Sequence, residues 1–145
     1  MDWGLIISRL MHDFGIAFGV GGATIAFLIS KKAEGKPEIS QTTGFLMESI
    51  SKLIWVGLIL LIVSGIGLTA FIKWPMNIPL LIVKHAIVLI IVINGIYLGI
   101  SSKKLVKAIR EKNVLGINKI KLRLKKVGLL NLICWYLVMV LSVIL

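Results

Sequence analysis

Four predominantly apolar stretches, at about 4–30, 53–72, 78–101 and 127–145, constrain this chain more than anything else in it. Each is close to or above the roughly 20 residues that an α-helix needs to cross the hydrocarbon core of a bilayer. A soluble domain of 145 residues cannot cover four such runs, and the 58% hydrophobic content exceeds the roughly half that is usual for a globular chain. The pattern predicts an all-α integral membrane four-helix bundle, a single membrane domain over residues 1–145, because the polar segments between the runs are too short to fold separately. The first run is read as mature structure: it has no basic segment before it and no clear small-residue cleavage site, and it is longer than the apolar core of a signal peptide.

Charge sets the predicted orientation. Lys31, Lys32, Lys36 and Lys52 flank the first connection and ten basic residues from Lys103 to Lys126 crowd the third, against Lys73 alone in the second. Basic connections stay on the cytoplasmic side, so both termini are expected outside. The third connection should form a basic cytoplasmic helical hairpin between helices three and four, breaking at Asn113 to Gly116. Its cations alternate with Leu105, Val106, Ile109, Ile117, Ile120, Leu122 and Leu124. That mixture suits anionic lipid headgroups of the cell membrane, not nucleic acid. The lone Cys134, inside the fourth run, can build neither a disulfide nor a multi-thiolate metal site within one chain.

The first helix carries the most informative face. On a 3.6-residue wheel His12, Gly15, Gly19, Gly22 and Ala26 share one narrow wedge, with Ser8 and Ala23 beside it. An imidazole thus heads a lane almost without side chains, which lets either another helix or a flat ligand approach the backbone. Helix two has its own small-residue stripe, with Ser64 nearly in line with Gly57. The glycine faces serve contacts within one chain or in a homodimer equally well. Arg9 and Asp13, four residues apart, are expected to form an ion pair near the interface.

The second histidine follows a lysine on helix three, as Lys84–His85. His12 lies nine residues after Trp3 and His85 eleven after Trp74, on helices expected to run the same way from interfacial tryptophans. At 1.5 Å per residue both imidazoles fall about 14–17 Å below the outer aromatic level. Counted from the outer ends of the other two helices, Ser64 to Gly67 and Trp135 to Tyr136 reach that layer. Ionisable groups inside a membrane are costly and are functional candidates by default.

Three ligands compete for such a constellation. Haem b needs two neutral imidazoles and a slot lined by small residues, which a four-helix bundle can supply. Zinc would lack protein ligands, with only Asp13 besides the two histidines. Copper(I) could use His12 with Met11 or Met76. The residues favour haem b, with iron ligands His12 and His85, Lys84 as substitute ligand or counter-charge to a propionate, Gly15, Gly19 and Gly22 admitting the porphyrin edge, and Trp135 or Tyr136 packing on it. Electron transfer or haem-dependent redox chemistry with a redox partner follows from that. A small ion or copper transporter or channel, with Arg9, Asp13, His12 and Lys84 along a hydrated path, is the alternative.

At LMHDFGIAFGVGG and, later, LLIVKHAIVLII, the chain resembles the small four-helix membrane proteins of the HemJ and copper-resistance-D group. The resemblance covers the whole topology. By position it implies haem b at His12 and Lys84 and, for the HemJ-type members, oxidation of a porphyrinogen; the copper-resistance members imply ion uptake through His12. The chain departs from that pattern where His85 follows the lysine directly and where Asn94 and Gly95 replace the approach to a Tyr–His pair. The departure moves the expected second axial ligand to His85.

Overall fold

A computed structural model describes residues 2–32, 40–71, 77–111 and 114–144. It contains four helices, α1 (Trp3–Lys32), α2 (Ser40–Phe71), α3 (Ile78–Arg110) and α4 (Val114–Ile144). All four hold segments long and apolar enough to cross a membrane: Trp3–Lys32, Leu46–Ala70, Ile78–Ala108 and Leu115–Ile144. By composition this is a multi-pass membrane protein.

The helices outrun the apolar stretches that announce them. At 30 to 33 residues each, they reach about 45–50 Å at 1.5 Å per residue, half as long again as a hydrocarbon core of about 30 Å. Helix α2 absorbs the weakly amphipathic FLMESISKL, stitched on its exposed side by Glu48 and Lys52 at 2.9 Å. Helices α3 and α4 absorb most of the basic tract. Charge ends an apolar run without ending a helix, since Lys and Arg are good helix formers. Val114 to Gly116, part of the expected break at Asn113 to Gly116, are already helical, and Asn113 lies outside the described residues. Trp74, Met76 and the first connection around Gly35 and Pro37 lie outside the described residues.

Asp2 starts α1, its carboxylate accepting from the Leu5 N–H at 3.4 Å and its carbonyl from the Ile6 N–H at 3.2 Å. Lys31 and Lys32 end the helix, where cations suit its negative pole. Hydroxyls along the spans bond back to carbonyls one turn earlier: Thr24 to Val20, Thr69 to Ile66, Ser102 to Leu98 and Ser142 to Val138, at 2.7–2.8 Å. This is how a hydroxyl is satisfied where no water reaches.

The chain divides into two compact units, residues 1–78 and 79–144. In the first, α1 and α2 pack antiparallel along the two small-residue stripes. Going along α1 from its N-terminus, Ser8 meets Gly67, His12 meets Ser64, Gly15 and Gly19 meet Gly57, and Gly22 meets Ile54. The approach is close enough that a methyl at Gly57 would lie 2.7 Å from the Gly19 nitrogen and 2.9 Å from the Gly15 carbonyl. Leu58, Leu61, Val20 and Ala23 fill the flanks of this seam. In the second unit, the covered residues of α3 include Ile91, Ser101 and Ala108, and those of α4 are Asn131, Cys134, Trp135 and Val138.

Candidate functional site

His12 is buried in the first unit beside Ser64, one of the residues that counting from helix ends put at its level. Its Nδ1 lies 3.0 Å from the Ser64 Oγ. That hydroxyl has one proton, and it goes to the Leu61 carbonyl at 3.1 Å. Ser64 therefore accepts from His12, so Nδ1 carries the ring proton and, in the neutral imidazole, Nε2 carries the lone pair. Ser8, one turn towards the N-terminus of α1, is also buried. The result is a short polar ladder of Ser8, His12 and Ser64 in the α1–α2 seam.

The second unit treats its two candidates differently. On α3, Lys84, Ile91, Asn94, Leu98, Ser101 and Ala108 recur at intervals of three, four and seven residues and make up its covered or half-covered stripe. Lys84 lies on that stripe, whereas His85, about 100° round the helix, is exposed. The His85 Nδ1 donates to the Leu81 carbonyl at 2.8 Å, so here too the lone pair is left to Nε2.

Both histidines thus hold one tautomer by the same device. A metal-bound imidazole needs this arrangement, with Nδ1–H on a protein oxygen and Nε2 as the donor to the metal. Haem iron would ask the same of an imidazole. The glycine lane does not supply its slot: Gly15 and Gly19 lie against the backbone of α2, and Gly22 against Ile54. Of the two visitors that a lane of small residues can admit, the helix is the one seated there.

The remaining expectations fare unevenly. Arg9 and Asp13 are both exposed and make no ion pair with each other. Their order, with the cation N-terminal, is the weaker one on a helix, and an exposed pair gains little over solvation. Trp135 is fully buried, and its indole N–H has no hydrogen-bond partner among the described residues. Among the described residues no three His, Cys, Asp or Glu side chains gather into a group that could hold a metal alone. The sequence signalled Ser64 as a small residue in line with Gly57 and as one that reaches the His12 layer; that its hydroxyl meets the ring depends on the register of α2.

Compared with models of known protein families, with characterised proteins and with solved structures, the chain matches none.

Proposed function

We propose that this is a b-type haem protein of the cell membrane, whose iron takes imidazole ligands from His12 and His85 and which carries out electron transfer or haem-dependent redox chemistry. The observation that carries the reading is the shared tautomer. Ser64 holds the Nδ1 proton of His12 and the Leu81 carbonyl that of His85. Bound haem would supply a one-electron redox centre at the iron. The chain's own contribution is to hold both rings oriented through Nδ1, and to surround His12 with a seam from which water is squeezed by close packing. Lys84, on the covered stripe of α3, suits a propionate counter-charge. The HemJ-type oxidase activity stays within this proposal as one form of the redox chemistry.

In the same proposal the chain lies with both termini outside. The basic ends of α3 and α4 form a cytoplasmic hairpin that rests on anionic headgroups, each cation near the surface contributing about 1 kcal/mol.

The test is the reduced-minus-oxidised visible spectrum of the detergent-purified protein, with a haemochrome assay to count haem per chain. Sharp b-type bands at about one haem per chain are expected. A colourless protein that takes up no added haem would end the reading. The buried ladder of Ser8, His12 and Ser64 favours one other function, a small ion or copper transporter, in which mutants of His12 would alter flux in vesicles and leave the visible spectrum flat.

A further inference from the structure

Five hydroxyls of the spans bond carbonyls one turn back, and against them three side chains of the second unit stand out. Asn94 Nδ2, Asn131 Oδ1 and Trp135 Nε1 are buried and have no hydrogen-bond partner among the described residues. Asn131 is 7% exposed and Trp135 0%. In a membrane no bulk water compensates such groups, so each marks a place where something else must be bound.

Counting along the two helices puts the three at one level. Asn131 and Trp135 are four residues apart on α4, hence neighbours on one face. Asn94 comes from α3. Helix α3 ends at Arg110 and α4 begins at Val114. Four Cα steps cover at most about 14 Å, far less than the length of either helix, so within one compact unit the two helices start from a shared end and run antiparallel. Asn94 lies 16 residues before that end and Asn131 17 residues after it. At 1.5 Å per residue this is about 24 and 26 Å from the turn, the same level to within one residue. Trp135 stands one helical turn further on, and all three are on covered stripes.

The chemistry of the unmet groups selects the ligand. Two are N–H donors and one is an oxygen acceptor. A carbonyl oxygen could take both N–H groups and would leave the Asn131 oxygen unmet. A cation would be repelled by both donors. A hydroxyl oxygen can accept from Asn94 and Trp135 and donate its proton to Asn131, meeting all three. We infer that Asn94, Asn131 and Trp135 form a binding site for one neutral hydroxyl oxygen, from water or from the hydroxyl of a membrane amphiphile. This site is separate from the histidines and does not rest on the haem reading.

The four tryptophans give four indole N–H signals in protein labelled with 15N-tryptophan, and Trp135→Phe identifies the one that matters. The Trp135 indole proton is expected at a downfield, hydrogen-bonded position and to move upfield in both Asn131→Leu and Asn94→Leu, with the other three signals in place as evidence of an intact fold. If the oxygen is water's, the indole proton shows cross-relaxation with water that is lost in both variants. If it is an amphiphile's, 4-butylphenol shifts the signal saturably and 4-butylanisole, which cannot donate, does not. An upfield Trp135 signal with neither response overturns the site. So does a signal that both Asn variants leave unmoved, which would mean that the two asparagines pair only with each other.

Discussion

Nδ1 of His12 and Oγ of Ser64 lie 3.0 Å apart across the α1–α2 seam, with the ring donating and the hydroxyl accepting. The direction follows from the second bond of Ser64, whose only proton is held by the Leu61 carbonyl. A back-bonding serine, ordinarily just a satisfied hydroxyl, here fixes the protonation pattern of an imidazole on another helix.

Ser64→Ala removes the acceptor and leaves a buried N–H unpaired. The expected cost is about 1–3 kcal/mol of stability, read as a lower unfolding midpoint in detergent. In haem-loaded protein, loss of such a supporting bond should weaken haem binding by about 10–100-fold, measured by titration. Wild-type values for both would mean that the hydroxyl does not orient the ring.

The seam itself can be tested with single methyl groups. Gly15→Ala places a carbon 2.9 Å from the Gly57 carbonyl and the Leu61 nitrogen, and Gly57→Ala does the same to Gly19 and Gly15. Backbone cannot swing aside as a side chain can, so each substitution should cost about 1–3 kcal/mol, the usual range for overpacking. Gly21→Ala and Gly65→Ala meet nothing within 4 Å and are the controls, expected to leave the melting curve unchanged or slightly improved.

Three variants sort the ligands of the proposed haem. His12→Ala and His85→Ala should each abolish a six-coordinate spectrum, while Lys84→Met should keep it and shift the reduction potential through the lost charge. A spectrum that survives His85→Ala and vanishes in Lys84→Met would transfer the second ligand to the lysine, the assignment that the resemblance implies.

Orientation is open to labelling, because Cys134, the single native cysteine, is buried. A cysteine at exposed Lys119 should be protected from an impermeant maleimide in intact cells and react after permeabilisation. One at exposed Asn77 should react in both. The reverse pattern would place both termini inside.

Hydropathy made the four helices legible, and period 3.6 made the α1 face legible down to Ser8 and His12. Counting rise from helix ends even put Ser64 at the right level. Helix ends were less readable. Apolar content falls at Lys52 and again at Lys103, yet α2 begins at Ser40 and α3 continues to Arg110, because charged residues leave lipid without leaving the helix. The occupant of the glycine lane was also beyond reach, since a small-residue stripe states that something comes close and not what. The same holds for Lys84 and His85: adjacent residues necessarily diverge by about 100°, and only the packed stripe through Ile91 and Ser101 tells which of them is covered.

The close approach of Gly57 to Gly15 and Gly19 has a mechanical consequence. A slip of α2 along α1 by one residue would bring Leu58 or Val56 onto the position where only a glycine fits, so the two helices are keyed in register. A push on one end of this pair cannot be absorbed by sliding in the middle; it must travel the length of both helices as a single rod, carrying the imidazole of His12 and the hydroxyl of Ser64 together.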